Sequence, residues 1–394
     1  PLSLAVSESV DPPYDFEPEL LNKAVRDVTN MILANAKPVT INVNQVRTLT
    51  DAVLGVDGIN FMPGIKMNTS PGYPYCTLKP GSNKGTFIYD INYEKRTFSL
   101  DPEFEKEYEM DQNQRKKGIV PPTVFACFGK DERLKPGKNM RLIEGVSLVE
   151  LLGCRSYCMD FMAAFTDANI NCSHAIGMNI FHRGADQIVK HLHKISPYIL
   201  TGDYKKFGPR LSAACVCAIS NIMNAWYDLY AGVDKQANLV RDTYYKTLAN
   251  SYHIAGDLIF RSQCGSPSGH PYTIQNNTIV NLIYLRVIWL KIFAGTEYAN
   301  LRAFNKYFQP LCVGDDFIGS IAPEVKGYFN NLTMEKAFAD YNIIFTDATK
   351  DGTNREYCDI SEASFLKCTF RNSTSLCSWV ACLDKTVIED IPNW

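Results

Sequence analysis

The chain has 394 residues, 46% hydrophobic and 21% charged, which supports a sizeable core and excludes wholesale disorder. At ~150 residues per domain, that length suggests two to three lobes. Forty basic residues against 42 acidic ones, a net charge of −2, exclude a protein that coats nucleic acid by bulk positive charge, while a locally basic channel stays open. Thirteen cysteines are scattered without repeated CxxC pairs. Cys154/Cys158 and Cys215/Cys217 are the closest neighbours, and His191 and His193 lack companion ligands. Free buried thiols in a reducing compartment are therefore expected, rather than zinc or a disulfide framework. The most apolar stretches, around 146–165 and 279–294, are broken by Glu150, Arg155, Asp160, Arg286 and Lys291, so they predict buried or amphipathic helices and no transmembrane segment. The first residue is Pro1, without Met or a charged-then-apolar leader, which reads as a processed product or a trimmed piece.

In chain order, Leu21, Ala24, Val25, Val28, Met31 and Ile32 predict a helix over 18–36. Residues 60–90, rich in Gly, Pro, Asn and Ser, read as loop. Asp101 followed by Pro102, acids first, then Arg115-Lys116-Lys117-Gly118, predict a helix that complements its own dipole. Residues 198–200 form a short strand ending at Gly202-Asp203. A helix over 209–230 follows, with Leu211, Cys215, Ala218, Ile222, Trp226 and Leu229 on one face. A strand at 257–261 leads through Gly265-Ser266-Pro267-Ser268-Gly269 into a long helix reaching about 294. Residues 311–318 have the pattern of a tight hairpin, and 365–382 suggest another turning at Asn372-Ser373. This irregular alternation of strands and helices is an α+β pattern.

Three constellations carry chemistry. Asp203 closes an apolar strand, and Asp315-Asp316 sit at a hairpin tip with apolar flanks. Such carboxylates suit oxygen-ligated Mg²⁺, and Asp-rich turns also occur in ordinary loops. Thr273, Asn277 and Asn281 make a polar stripe at i, i+4, i+8 on an otherwise apolar helix. On a buried helix the stripe needs partners, and a sugar hydroxyl is a candidate. From Arg115 to Arg141 the local charge is +6, and Lys130, Arg133, Lys138 and Arg141 fall in a Pro/Gly-broken stretch that suits either triphosphate or a solvated loop.

The order of these elements resembles the ordered motifs of picornavirus-like viral RNA-dependent RNA polymerases. Thr69-Ser70-Pro71-Gly72-Tyr73-Pro74-Tyr75 resembles the fingers motif where template comes in, and residues 130–144 resemble the basic fingers motif over the nucleotide channel. Asp203-Tyr204-Lys205-Lys206-Phe207 resembles the first palm motif, Ser268-Gly269 with Thr273 and Asn277 the second, and Gly314-Asp315-Asp316 the catalytic hairpin. Thr346-Asp347-Ala348-Thr349-Lys350 resembles the fourth palm motif, and residues 365–371 the primer-grip hairpin.

The resemblance implies a right-hand fold: fingers at 1–195, palm at 196–230, a fingers insertion at 231–264, palm again at 265–371, and the start of a thumb at 372–394, with most of the thumb missing. It implies nucleotidyl transfer to an RNA 3′-hydroxyl with two Mg²⁺ ions (Mn²⁺ as a substitute) held by Asp203 and Asp315, with Asp316 an outer ligand. Lys350 would be the general acid. Lys138 and Arg141 would hold the triphosphate, Lys130 and Arg133 the same channel or the template, and Ser268, Gly269, Thr273 and Asn277 the nucleotide, with Ser268 and Asn277 reading the ribose 2′-hydroxyl. Thr69, Ser70, Gly72, Tyr73 and Lys367 would contact RNA. Implied partners are template and primer RNA, ribonucleoside triphosphates and a small protein primer, in host cytoplasm at membrane-associated replication sites. The family usually has a second Asp five residues after the first; here it is Gly208, as in the insect iflaviruses. Rival readings are a reverse transcriptase, against which the Ser268/Asn277 pairing argues, and a catalytically silent RNA-binding scaffold.

Overall fold

The computed structural model describes residue 6 and residues 11–131, 140–348, 355–383 and 385–391. Among these, twelve strands form four sheets: β1 (Ile88–Asn92), β2 (Thr97–Leu100), β3 (Val124–Gly129), β4 (Leu142–Gly145), β5 (Ile199–Tyr204), β6 (Ser251–Ala255), β7 (Leu258–Ser262), β8 (Phe308–Val313), β9 (Asp316–Ile321), β10 (Phe345–Thr346), β11 (Cys368–Ser373) and β12 (Ser378–Leu383). Two sheets are four-stranded, ordered β4-β3-β6-β7 and β10-β5-β9-β8, and two are the hairpins β1-β2 and β11-β12. The chain divides into two compact units. The first comprises Pro1–Pro13, Ile32–Asp167 and Gly208–Asn276; the second comprises Tyr14–Met31, Ala168–Phe207 and Asn277–Trp394. No helix of the described residues is long and apolar enough to cross a membrane.

In the first unit, the helix Leu148–Ala168 is buried along most of its length. Its charged residues are held internally: Asp160 pairs with Arg47, and Arg155 donates to the Ala52 carbonyl at 2.6 Å. The dipole-complementing helix runs Pro102–Lys116, with the Asp101 carboxylate accepting from the Glu103 and Phe104 amides. Arg115 departs from the expected basic cluster. It is fully buried, 2.5 Å from Glu150 and 2.9 Å from Asp111, over the Tyr244 ring. Burial pushes Glu150 up to about 7, against the pull of Arg115. Arg115 is a core cation, so one charge of the local +6 is committed inside the fold.

Other expectations are kept or changed in detail. The helix expected from 209 starts at Ala213, capped by Ser212, because Gly208–Arg210 forms a 3₁₀ turn. Leu211 is buried ahead of that helix, and Leu229 is exposed. The strand at 257–261 is β7, paired with the unforeseen β6. In the last hairpin, Asn372 and Ser373 are strand residues paired with Trp379 and Ser378, so the turn is 374–377, with Cys377 at φ +47. The loop 60–90 also contains a short helix, Tyr75–Leu78.

In the second unit, Ile199, Leu311 and Ile318 share one face of the β10-β5-β9-β8 sheet. They pack against Ile188 and Leu192 of the helix Ala185–Leu192 and against Phe370 of β11. Tyr204 faces the other side, among Phe207, Phe338 and Phe345. Gly202 between them is forced, since a Cβ there would run into the Phe345 ring.

Candidate active site

Strand pairing brings the carboxylates together. In the β8–β9 hairpin Val313 pairs with Asp316, leaving Gly314 and Asp315 as a two-residue turn. Gly314 has φ +63 and Asp315 does not have positive φ, the pattern of a II′ turn with glycine first. β5 pairs with β9 from Ile199↔Ser320 to Gly202↔Phe317. One step further in that register, Asp203 stands level with Asp316, and its other edge pairs with Thr346 of β10. Opposed residues of an antiparallel pair share a face, so Asp203 and Asp316 emerge together beside the turn that carries Asp315. Asp315 is exposed, and Asp203 and Asp316 are half-buried. Asp347, just after β10, is buried and accepts from Thr201 Oγ1 at 3.2 Å.

The turn is gripped from the helix Thr273–Ile292. The Gly314 amide donates to Thr278 Oγ1 at 2.7 Å. Asn281 Nδ2 donates to the carbonyls of Gly314 at 3.0 Å and Asp315 at 3.3 Å. Asn281 Oδ1 accepts from the Tyr204 hydroxyl at 3.0 Å. Burial, with smaller contributions from Cys312, Tyr284 and Asp315, raises the Tyr204 phenol well above its ordinary range, so it stays a neutral donor. One hydrogen-bond chain thus ties the residue after Asp203 to the turn that bears Asp315.

Within the polar stripe the three residues differ in their partners. Asn281 serves the protein, and Thr273 donates back to the carbonyls of its own loop, at 2.8 Å to His270. Only Asn277 of the stripe retains, among the described residues, a buried oxygen without a hydrogen-bond partner, its Oδ1. Thr278, which follows Gln275-Asn276-Asn277 and lies off the i, i+4, i+8 stripe, gave no sequence signal of its grip on Gly314.

Within the first unit, the Ser268-Gly269 loop is clamped by Glu144 of β4. The Ser268 amide donates to Glu144 Oε2 at 3.0 Å, Ser268 Oγ accepts from the Glu144 amide at 2.9 Å, and the Gly269 amide donates to the Glu144 carbonyl at 2.9 Å. A Cβ on Gly269 would strike that carbonyl, so the close approach requires glycine. The Ser266 amide donates to the Gly208 carbonyl at 2.9 Å, and Gly265 to Leu211 at 2.8 Å. His270, fully buried, is pushed down to about 3 by desolvation and acts as a neutral acceptor for the Tyr272 amide.

Lys130 and Arg141 are exposed where β3 and β4 lead out, and the Lys130 amide donates to the Arg141 carbonyl at 2.8 Å. Arg133, Lys138 and Lys350 lie outside the described residues. Thr69 and Ser70 are exposed and held by Lys84, whose amine donates to Thr69 Oγ1 and to the Ser70 carbonyl at 2.8 Å. Gly72 has φ +73 and lies against the Val146 backbone, and Tyr73 beside it is half-buried. Lys367 is exposed in a two-residue turn between Phe365 and Cys368, with Leu366 at φ +54 and Lys367 at φ +58.

Three carboxylates at one end of a sheet offer oxygen ligands alone, the donor chemistry that Mg²⁺ takes. The chain resembles the genome polyprotein of Deformed wing virus, 32% identical over 408 residues, which cover all of this chain and 14% of that polyprotein. It is 31% identical over 392 residues to the genome polyprotein of Ectropis obliqua picorna-like virus, covering 97% of this chain and 12% of that one. The chain is therefore similar to a small part of much longer proteins. Its fold matches the Sicinivirus 3Dpol RNA dependent RNA polymerase at a TM-score of 0.75 and 18% identity, covering 98% of this chain and 75% of that one. The family model "Viral RNA-dependent RNA polymerase" matches residues 9–394, and the chain belongs to that family.

Proposed function

We propose that this chain catalyses template-directed transfer of ribonucleotides to an RNA 3′-hydroxyl and so copies the genome of a positive-strand RNA virus in the host cytoplasm. The observation that carries this reading is the register that sets Asp203 level with Asp316, beside a turn fixed by Thr278 and Asn281. Asp203 and Asp315 would hold two Mg²⁺ ions, with Asp316 an outer ligand. Bound there, such ions activate a hydroxyl and neutralise a leaving pyrophosphate. The chain's own part is positioning: a rigid turn keeps the carboxylates in one geometry, and such alignment supplies much of the rate in phosphoryl transfer. The unpartnered Asn277 Oδ1 supports a role in accepting the ribose 2′-hydroxyl, the group that separates RNA from DNA. Ser268, Gly269 and Thr273 would bear on the nucleotide through the clamped loop and the start of the helix behind it. Lys130 and Arg141, with Arg133 and Lys138, would take the triphosphate, Lys350 would protonate the leaving group, and Lys367 would steady the primer backbone. Thr69, Ser70, Gly72 and Tyr73 would line the template path. We assign fingers and palm along the sequence boundaries given above, and a small protein primer and membrane-associated replication sites belong to the same reading.

Primer extension with Mg²⁺ tests it. Asp203→Asn and Asp315→Asn should each cut incorporation to below about 1%, with the thermal midpoint kept within about 3 °C. Full activity in either variant removes the metal assignment. Asn277→Ala should lower the preference for ribo- over deoxynucleotides by at least about tenfold. An unchanged rate and pH profile in Lys350→Leu rules out the general acid.

A further inference from the structure

Cys127 and His253, which the polymerase reading leaves unused, meet the loop-clamping Glu144 on one face of the first unit's sheet. Cys127 of β3 pairs directly with Glu144 of β4, and His253 of β6 pairs with Phe125, two residues before Cys127. All three are buried. His253 Nδ1 lies 3.2 Å from Glu144 Oε1 and 3.6 Å from Cys127 Sγ, and the three ligand atoms fall within 4.8 Å of one another.

The two separations from His253 match edges of a metal tetrahedron. With Zn–N and Zn–O near 2.0–2.1 Å and Zn–S near 2.3 Å, neighbouring ligand atoms stand about 3.3 Å apart for N and O, and about 3.6 Å apart for N and S. A thiolate, an imidazole and a carboxylate together select zinc over Mg²⁺ or Ca²⁺. The surroundings orient each ligand. Ser251 Oγ lies 2.7 Å from His253 Nε2. The imidazole is stacked between Phe125 and Phe260, with centroids at 5.6 and 4.9 Å. Glu144 Oε2 accepts the Ser268 amide, leaving Oε1 turned toward the cluster. Partners of this kind, fixing the second ring nitrogen and the second carboxylate oxygen, are what built metal sites use. A small cavity of about 10 Å³, lined by Glu144, Ser251, His253 and Ser262, borders two of the three ligands.

We propose that Cys127 Sγ, Glu144 Oε1 and His253 Nδ1 form a mononuclear Zn²⁺ site. On binding, the thiol proton leaves to solvent and the imidazole keeps its proton on Nε2, donated to Ser251. The ion pins Glu144, and through it the Ser268-Gly269 loop. The site stands on its own geometry and does not depend on the polymerase reading.

The full chain, stripped with a chelator and titrated with Co²⁺ in the absence of RNA, tests the site. One equivalent should produce tetrahedral d–d bands and a thiolate-to-cobalt charge-transfer band, and Zn²⁺ should bleach both. Carboxylate-bound Co²⁺ at Asp203 and Asp315 gives no thiolate band, so failure of the catalytic reading stays distinguishable. Cys127→Ser should abolish the charge-transfer band, while Cys377→Ser, which removes an exposed thiol, should keep it. Ser251→Ala leaves all three ligands in place and should weaken Co²⁺ binding about 10- to 100-fold with the band retained. This second variant keeps the proposal testable if Cys127→Ser does not fold. No thiolate band at one equivalent, or a band lost with Cys377 instead of Cys127, overturns the site and leaves a hydrogen-bonded cluster only.

Discussion

The two four-stranded sheets use their carboxylates in opposite ways. In the second unit three acids at the sheet's end reach the surface, with Asp315 exposed and Asp203 and Asp316 half-buried, while Asp347 behind them is buried on Thr201. The turn beside them is fixed by neutral groups: Thr278, Asn281 and Tyr204. In the first unit the acids are the fixing groups. Glu144 is buried, with one oxygen on the Ser268 amide and the other 3.2 Å from His253, and Glu150 is buried against Arg115. Burial is costly for a charge unless hydrogen bonds and an opposite charge compensate it, so an acid that holds structure is committed to its partners. A turn held by neutral groups avoids that cost and leaves its acids near the surface.

The comparison is sharpest at Arg115. Arg115→Ala leaves Glu150 and Asp111 buried without their cation, so that Glu150 takes up a proton and the cluster loses its ion pairs, and chemical denaturation should register a loss of about 3–5 kcal/mol. Lys116→Ala, one residue on, should stay within about 0.5 kcal/mol. Equal effects would break the distinction between committed and surface charges.

In the second unit the neutral grip is expected to matter for rate. Asn281→Leu and Thr278→Val should each lower kcat about 10- to 100-fold, with KM for nucleotide changed less than about threefold, because the acids lose their alignment while nucleotide binding is untouched. A change confined to KM would mean that Asn281 touches substrate.

His270 adds a pH test of the first unit. Its folded pKa of about 3 lies below the ordinary histidine value, so its stabilisation is complete above about pH 6.5 and is lost as pH falls through that range. Moving from pH 7 to pH 5 should therefore shrink the stability advantage of wild type over His270→Asn by about 2 kcal/mol, a difference from which Glu150, common to both, cancels. A denaturation midpoint flat over that interval, in wild type compared with His270→Asn, would contradict a buried neutral imidazole.

The smallest effect is expected at Lys367. Leu366 and Lys367 both carry positive φ, which side chains disfavour. Lys367→Gly should raise stability by up to about 1 kcal/mol and reduce the salt dependence of RNA binding by about one counterion. If stability falls instead, the lysine side chain supports the turn.

Much of the site could be read along the chain because the relevant physics is local. The Asp101 cap, the glycine-first turn at Gly314-Asp315 and the apolar strand before Asp203 depend on neighbours a few residues away. The misreadings have the same origin in reverse. Arg115 looked like the basic end of a helix because Glu150, its partner, lies 35 residues on. The last hairpin turned at 374–377 because cross-strand pairing carried Asn372 and Ser373 into the ladder despite their turn chemistry.

By itself, then, the sequence determined the order of motifs, the α+β class, and which acids stand at strand ends. The tertiary structure alone decided which polar groups are spent inside the fold. Tyr204 and Asn281 are 77 residues apart, Glu144 and Ser268 124, and Cys127 and His253 126. No periodicity or spacing encodes such pairs, because strand register brings them together only after the core has closed.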